Sequence, residues 1–350
     1  MQDTATWDAG GADLTALHRA LSKISSYADT APGDLAPMRV RGLFHAHVRI
    51  GGTRSILRIP RVSFLGYSPE ENLAYQEASF SRAAACGHVP ALRGTIPPQD
   101  GVPWGALIIS EIDGGTPPLP DGLPAIARAL AALHALPVPP PGDRPPLPSH
   151  NDPVAATLEV IEAQAAFLED AALATETRRQ IEDELTLARR FAADVAGQDI
   201  PVTLVGTDTH PGNFMMQPDG AAIFVDLEKM LYGAPAIDLA HATVYTSTMW
   251  DPDVAMALDD NDVAGFHDAY FEALPTALGT RIRPWCAPLR RFTWLRTTTW
   301  CARWRVQSQN GASWSAMQHD PDYIDSVRRR VEDYFDPDTI ARIRAGFETG

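Results

Sequence analysis

Two proline-rich segments constrain the fold of this 350-residue chain more than any other feature of its sequence. "TPPLPDGLP" and "PVPPPGDRPPLP" flank a short apolar segment, "AIARALAALHAL", whose spacing predicts a helix. Proline lacks the backbone N–H and clashes inside a helix, so regular elements are expected to stop at these segments. We predict two domains, residues 1–113 and 114–350, with a seam at 114–122 and a loop at 137–149 inside the second domain.

The two predicted domains differ in their secondary structure. Before the seam, "MRVRGLFHAHVRIGGTRSILRIP" predicts three short strands, the last two joined at Gly51-Gly52, and "PEENLAYQEASFSRAAACG" predicts a helix. A further helix is expected near the start, within residues 13–28. Beyond the seam, helical spacing recurs at 153–198, 262–275, 287–308 and 321–346. The sequence therefore predicts an α+β protein with an antiparallel sheet that carries a helix, followed by a mainly helical domain.

The charge and the basic residues exclude several classes of function. The formal net charge is -15 and no run of basic residues stands out, which disfavours nucleic acid and anionic membrane surfaces as partners. Of the 29 basic residues, all but Lys23 and Lys229 are arginines. Neither lysine follows a glycine, so a P-loop is absent, and no G-x-G-x-x-G dinucleotide fingerprint occurs.

Targeting and cysteine signals are also lacking. The three cysteines lie far apart without a C-x-x-C motif, which fits neither a disulfide framework nor a zinc site. The start of the chain has no basic patch followed by an apolar stretch, and no apolar run is long enough to span a bilayer. We expect a protein of the reduced cytoplasm, while the sequence leaves its oligomeric state open.

The segment "LVGTDTHPGNFMMQPDGAAIFVDLEKM" carries the most specific chemical signal. Asp208 is followed five residues later by Asn213, and Asp226 ends the predicted strand "AAIFVD". Transfer of a phosphoryl group needs a carboxylate that orients the attacking hydroxyl, and oxygen ligands for Mg²⁺. Asp and Asn are also common turn residues, and that reading would suffice for either one alone. The three together, at this spacing, favour catalysis.

This segment also carries a resemblance to a known family. "GTDTHPGN…FVDLEKMLYGAPAIDLAH" resembles the motif H-G-D-x-H-x-x-N … I-D-x-E … G-x-P-x-x-D-L-A of the aminoglycoside phosphotransferase and choline kinase-like family. "ARALAALHALP" resembles a helix motif of the same family, and the similarities extend over most of residues 38–245. The resemblance implies a two-lobed, protein-kinase-like fold with a nucleotide-binding N-terminal lobe and a catalytic, substrate-binding C-terminal lobe.

Carried over to matching positions, the resemblance makes Asp208 the catalytic carboxylate and makes Asn213 and Asp226 the metal ligands. It implies ATP or GTP as the phosphoryl donor, Mg²⁺ as the metal, and a hydroxyl group of a small molecule as the acceptor. Asp238, in "APAIDLAH", would support the catalytic loop, in agreement with a structural role for this residue.

The resemblance also assigns the nucleotide-binding residues. Family members place a basic residue on the third strand, where it pairs with a helical Glu and holds the nucleotide phosphates. The chain has no lysine between positions 23 and 229, so we expect Arg58 in this role with Glu77 as its partner. Arginine can bind phosphate oxygens through two parallel hydrogen bonds. The backbone of Glu111 and Ile112, after the strand "ALIIS", is expected to receive adenine.

Two positions depart from the family pattern. Gly206 stands two residues before Asp208, where the family usually has His, and the phosphate-covering loop "RVRGLFHAH" contains only Gly42. Loss of the histidine either slows turnover or is compensated elsewhere, and a loop with few glycines offers fewer flexible amides to a nucleotide.

The acceptor is the least determined part of the function. Trp300 and Trp304 lie four residues apart on a predicted helix and could form a cage for a cationic substrate, although core packing is the more common role of such residues. Asp251, in an acidic stretch, could attract an amine-bearing acceptor. Aminoglycoside-, choline- and amino-alcohol-like acceptors all stay open.

The sequence therefore predicts an ATP- and Mg²⁺-dependent kinase of small molecules. Two alternatives remain: a non-catalytic nucleotide-binding relative, and a metal-dependent phosphohydrolase that uses the same acidic residues without needing Arg58 and Glu77.

Overall fold

An antiparallel sheet forms the first part of the molecule. The computed structural model describes residues 12–38, 44–309 and 321–347. The sheet has the strand order β1-β2-β3-β5-β4, and all its neighbouring strands are antiparallel. Its strands are β1 (Leu35–Pro37), β2 (His45–Ile50), β3 (Ser55–Pro60), β4 (Leu92–Ile96) and β5 (Ala106–Ser110). The hairpin predicted at Gly51-Gly52 is confirmed, since β2 and β3 pair across it.

Helices cover both faces of this sheet. Successive residues of a strand point to opposite faces, and the buried side chains separate accordingly. Leu57 and Ile108 pack with the first helix, α1 (Leu14–Leu21), whereas Leu107 packs with the second helix, α2 (Pro69–Ala83). Asp13 caps α1 and Ser68 caps α2, each by accepting backbone N–H groups of the first turn. Helix α2 packs against β4 and β5, and its residue Gln76 reaches Arg58 on β3.

The remainder of the chain is mainly helical, as the sequence predicts. Two small antiparallel pairs interrupt the helices: β6 (Thr203–Val205) with β9 (Leu231–Gly233), and β7 (Phe214–Met216) with β8 (Ala222–Phe224). The helices are α3 (Leu123–His134), α4 (Pro153–Ala165), α5 (Thr175–Asp194), α6 (Pro235–Thr243), α7 (Tyr245–Thr248), α8 (Asp260–Ala273), α9 (Thr276–Gln309), α10 (Pro321–Tyr334) and α11 (Pro337–Gly346). The boundary between residues 113 and 114 stays a prediction.

Helix α9 is longer than its spacing predicts. It begins at Thr276 instead of residue 287 and continues through Pro284 and Pro288. A proline removes the donor for the carbonyl four residues earlier, which here belongs to Thr280 and to Pro284. Both of these residues are exposed, so water can satisfy their carbonyl groups. The exclusion of proline from helix interiors therefore fails where the affected face meets solvent.

Helix α1 depends on a glycine in the connection between β4 and β5. Gly101 has φ +75°, and its carbonyl accepts the backbone N–H of Asp13 at 2.8 Å. A Cβ at Gly101 would lie 2.5 Å from the Cβ of Ala16 on α1. Gly52 has a similar φ of +71°, but a Cβ there would meet no atom within 4 Å.

We predict that Gly101→Ala destabilises the protein more than Gly52→Ala. Both changes impose a left-handed conformation on a residue with a side chain, and Gly101→Ala adds a collision with α1, worth about 1–3 kcal/mol more. Urea denaturation of both variants measures the difference in the free energy of unfolding. Equal losses in the two variants would contradict the packing described for Gly101.

Candidate active site

Hydrogen bonds of Asn213 connect the loop of Asp208 to the backbone beside Asp226. Asp208 lies in the loop after β6, and the side-chain Nδ2 of Asn213 donates to the Asp208 carbonyl oxygen at 2.7 Å. The backbone N–H of Val225 donates to the Asn213 carbonyl oxygen at 2.9 Å. Asp226 is therefore held next to Asn213 in space, although thirteen positions separate them in the chain. The Asn213 side chain uses its nitrogen in this contact, which leaves its oxygen as a ligand.

A buried carboxylate below the loop fixes the backbone before Asp208. Asp238, in α6, is fully buried and accepts the backbone N–H groups of Gly206 and Thr207, both at 2.7 Å. A third partner of the Asp238 carboxylate is His134 in α3, at 3.0 Å. Thr207 has φ +58°, a conformation that costs a threonine free energy and needs such support. The predicted structural role of Asp238 is in accord with these contacts.

The side chain of Asp208 is paired with the ammonium of Lys229. Lys229 Nζ lies 2.5 Å from Asp208 Oδ2, and the two side chains are 19% and 20% exposed. Burial acts to raise the pKa of Asp208, but the charge of Lys229 outweighs it and the pKa lies below its usual range. The carboxyl of Asp208 is therefore ionised, as an acceptor of a substrate proton must be.

Arg58 is buried, and its partners differ from the predicted one. It lies on the α2 face of β3 with 3% exposure, and its guanidinium contacts Asp226 Oδ1 at 2.6 Å, His45 Nε2 at 3.1 Å and Gln76 Oε1 at 3.3 Å. Glu77 is exposed, so the predicted pairing of Arg58 with Glu77 is wrong. Adjacent helix residues point about 100° apart, and it is Gln76 that faces the sheet.

His45 and Glu228 extend this buried polar cluster. His45 Nδ1 lies 3.2 Å from Glu228 Oε2, and ligand atoms of His45, Asp226 and Glu228 all lie within 4.8 Å of one another. Burial is the largest cause of the lowered pKa of His45 and of the raised pKa of Glu228. Glu228 is 6% exposed and therefore belongs to this buried cluster.

The donor set fits a hard cation. The Asn213 side-chain oxygen and the carboxylates of Asp226 and Glu228 are oxygen ligands of the kind that Mg²⁺ prefers. Asp226 is 30% exposed, so solvent reaches this side of the cluster. Arg58 occupies one oxygen of Asp226, which leaves the other for a metal.

The predicted hinge follows β5. The backbone N–H of Glu111 donates to the Arg54 carbonyl at 3.0 Å, and the Glu111 carboxylate pairs with Arg49. The N–H of Glu111 is therefore already used and cannot donate to a nucleobase. Within the described residues, the backbone N–H of Ile112 has no such partner.

The loop around Gly42 falls in residues 39–43, outside the described residues.

The three residues predicted to bind the acceptor are placed differently from one another. Asp251 packs against the loop of Asp208, since a Cβ at Gly212 would overlap its carboxylate. Trp300 is half-buried and contacts Trp250 edge-to-face, with ring centroids 5.5 Å apart. Trp304 is 4% exposed within the helical core. Core packing is therefore the role of Trp304, and a substrate cage that includes it is wrong.

Sequence reasoning missed several residues of this site. His45 and Gln76 reach it from β2 and α2, and no residue pattern assigns them to it. His134, in α3, lies within "ARALAALHALP", the helix motif that carries part of the resemblance. Lys229 had a signal, because it is one of only two lysines and follows directly after the D-x-E segment.

Comparisons with known proteins identify the family and the fold. A family model described as "Phosphotransferase enzyme family" matches residues 39–285. Similar solved structures include a choline/ethanolamine kinase family protein from Mesorhizobium loti, with 18% identity, TM-score 0.57 and coverage of 97% of this chain and 100% of that one. Choline kinase LicA from Streptococcus pneumoniae has 14% identity and TM-score 0.55, with coverage of 91% and 99%. Aminoglycoside 2'-phosphotransferase-IIIa has 15% identity and TM-score 0.57, with coverage of 91% and 98%.

These likenesses confirm the predicted fold class, a kinase-like α+β fold with an antiparallel N-terminal sheet and a mostly helical C-terminal part. A search of curated protein sequences found no match. Among the described residues, no helix combines the length and apolar character needed to cross a membrane.

Gly206 is held in close packing, and this generates a prediction. A Cβ at this position would lie 2.8 Å from the ring of Phe224 and from Thr209 Cγ2. We therefore expect Gly206→His, which introduces the residue usual in the resembled family, to destabilise the protein by about 1–3 kcal/mol. Gly206→Ala should show the same direction, and Phe224→Leu should partly relieve it, so that the two changes are non-additive in a denaturation cycle. Strict additivity would contradict this account.

The burial of His241 makes the stability of the protein depend on pH. Its Nδ1 lies 3.9 Å from Asp208 Oδ1, and burial lowers its pKa from 6.5 to about 3. The unfolded chain binds a proton at this residue below about pH 6.5, whereas the native state stays neutral. The contribution of neutral His241 to the free energy of unfolding is complete above about pH 6.5. It is lost as the pH falls, by up to about 1.4 kcal/mol per pH unit.

We expect His241→Gln to flatten the decline of the unfolding free energy between about pH 7 and pH 5. Urea denaturation of both proteins across this range measures the slope. The other buried histidines are common to both proteins, so the comparison isolates His241. Identical slopes would show that His241 does not stay neutral in the native state.

Proposed function

The chain belongs to the phosphotransferase enzyme family, and we propose that it transfers the γ-phosphate of ATP or GTP to a hydroxyl group of a small molecule. One observation carries this proposal: hydrogen bonds of Asn213 to Asp208 and to Val225, the residue before Asp226, bring Asp208, Asn213 and Asp226 close together. The unit combines an ionised proton acceptor with oxygen ligands for a metal, which is the minimal equipment for this reaction.

Asp208 orients the acceptor hydroxyl and takes its proton. The hydroxyl oxygen forms a bond to the γ-phosphorus while the bond from phosphorus to the β,γ-bridging oxygen breaks, and the nucleoside diphosphate leaves with that electron pair. Asn213 and Asp226 would hold Mg²⁺, which supplies neutralisation of the phosphate charge when bound. The products are a phosphorylated acceptor and a nucleoside diphosphate.

Arg58 supports this reaction mainly by positioning Asp226. Its guanidinium is almost fully buried and bridges Asp226, His45 and Gln76. These contacts fix the direction of one carboxylate oxygen, so the other is presented to the metal. The exposed Glu77 contributes nothing to this arrangement.

The nucleotide base is proposed to bind along the segment after β5. The N–H of Ile112 and the carbonyl of Glu111 are the backbone groups that remain for hydrogen bonds to a purine, because the Glu111 N–H is bound to Arg54. Similar structures are described as a GDP complex of aminoglycoside 2'-phosphotransferase-IIIa and an ADP complex of a spectinomycin phosphotransferase. Either purine therefore stays open here.

A cationic acceptor is the class that the surroundings of Asp208 favour. Asp251 lies beside Gly212, which belongs to the loop of Asp208. The half-buried Trp300 contacts Trp250, the residue before Asp251. A carboxylate next to aromatic rings suits an amine or quaternary ammonium group. Similar structures include choline kinases, an ethanolamine kinase and a macrolide 2'-phosphotransferase.

One observation favours a second candidate, a nucleotide-binding protein without transferase activity. In this structure Lys229 holds Oδ2 of Asp208, so one of the two carboxylate oxygens is engaged before any acceptor binds. An acceptor panel with ATP and GTP, analysed for phosphorylated products by mass spectrometry, separates the two. Nucleotide binding without any product would select the second candidate.

We predict that Asp208→Asn keeps nucleotide binding and lowers the transfer rate by at least about 100-fold, because the amide cannot accept the hydroxyl proton. Nucleotide binding is measured by calorimetry and transfer by product mass. Asp170→Asn removes the same charge at an exposed turn and should change neither quantity. Full transfer by the Asp208→Asn variant would refute the role of Asp208.

A further inference from the structure

Lys229 occupies a position that the roles assigned above leave unexplained. It lies between β8 and β9, and its ammonium contacts the carboxylate of Asp208 at 2.5 Å and lies 4.0 Å from Glu228 Oε1. The same ammonium sits over the ring of Phe64, 4.7 Å from the centroid. Phe64 belongs to the connection between β3 and α2 and is 46% exposed. Lys229 is thus held between the loop of Asp208 and a residue of the N-terminal sheet region.

The surroundings of Asp208 make this ammonium the cation best placed to meet a ligand. Arg58 is engaged by Asp226, His45 and Gln76 and is 3% exposed. Arg296 donates to the carbonyl of Thr207, on the backbone of the loop. Among the described cations, Lys229 is the one whose side chain contacts the Asp208 carboxylate while a fifth of its surface stays exposed.

The hydrogen-bonding capacity of Lys229 is only partly used. An ammonium carries three N–H donors, and in the described structure one hydrogen bond is made, to Asp208 Oδ2. The ammonium lies beside the carboxylates of Asp208 and Glu228, with its other donors directed away from Asp208 Oδ2. A protonated ammonium with unused donors beside the proton acceptor is suited to bind a phosphate oxygen.

We propose that Lys229 is a catalytic residue that donates to an oxygen of the γ-phosphate of a bound nucleoside triphosphate, and that this contact releases Asp208 from the ion pair. The proposal rests on the function proposed above. Lys229 keeps its protons and forms no covalent bond: it stabilises the negative charge of the transferred group, and the hydroxyl proton goes to Asp208. A diphosphate lacks the γ-phosphate and would leave the ion pair in place.

Lys229 performs two roles, which depend on the bound nucleotide. Without a triphosphate, Lys229 neutralises Asp208 among the neighbouring carboxylates of Glu228 and Asp226. With a triphosphate, the γ-phosphate carries more negative charge than the carboxylate and attracts the ammonium. Oδ2 of Asp208 is then released to an acceptor hydroxyl only when the phosphoryl donor is present.

The affinities for Mg-ATP and Mg-ADP, and for the guanine nucleotides, test this contact without any acceptor. The measurement compares Asp208→Asn with the double variant Asp208→Asn/Lys229→Met. Removing Lys229 alone would leave the negative charge of Asp208 unpaired, so both proteins carry Asn at position 208. If Lys229 contacts the γ-phosphate, the double variant should bind the triphosphate about tenfold more weakly, with diphosphate affinity unchanged within about twofold. Adding Lys229→Arg in place of Lys229→Met should restore part of the triphosphate preference.

The other lysine of the chain provides a matched control. Lys23 is exposed after α1, so Asp208→Asn/Lys23→Met removes the same charge away from the site and should leave both affinities unchanged. Thermal unfolding of each variant excludes loss of folded protein as the cause. Equal weakening of triphosphate and diphosphate, or no weakening, would overturn the role of Lys229. Absence of nucleotide binding by the unmodified protein and by Asp208→Asn would instead overturn the proposed function.

Discussion

The buried carboxylate of Asp238 is the interaction on which the arrangement of the site depends. It has no exposed surface, and removing a carboxylate from water costs several kcal/mol unless donors compensate it. Two backbone N–H groups and His134 supply those donors. Because two of the donors belong to the loop, the third to α3 and the acceptor to α6, the packing of α6 against α3 fixes the position of the loop. The left-handed Thr207 and the placement of Asp208 both follow from this contact.

The sequence predicts the parts of the site that are local in the chain. Asp208, Asn213 and Asp226 fall within one segment, and short backbone and side-chain hydrogen bonds bring them together. The alternation of the strands and the helical spacing likewise predict the sheet and the helical part. The sequence does not determine which face of α2 points to the sheet. Gln76 and Glu77 are adjacent, and a charged partner for Arg58 is the simpler expectation. The structure instead joins Arg58 to Asp226, a contact between residues far apart in the chain.

That long-range contact explains how a buried arginine is tolerated. An isolated guanidinium under α2 would be unfavourable, but Asp226 provides the charge and Gln76 and His45 provide further polar contacts. His45 is kept neutral by burial, since its pKa is well below the usual value, and it therefore adds no second positive charge. The N-terminal sheet is in this way tied to the metal-binding side of the site, through side chains that carry no sequence motif.

The departure at Gly206 follows from the same packing. Asp238 binds the loop through the backbone N–H groups of Gly206 and Thr207, and these contacts need no side chain at position 206. The space that a side chain would need is filled by the ring of Phe224 and the methyl of Thr209. Phe224 in turn packs against Phe214 across the β7–β8 pair, with the two rings tilted and their centroids 5.2 Å apart. Glycine at 206 is therefore matched to an aromatic core beneath the loop, so its presence indicates a different way of supporting Asp208 and not the loss of that support.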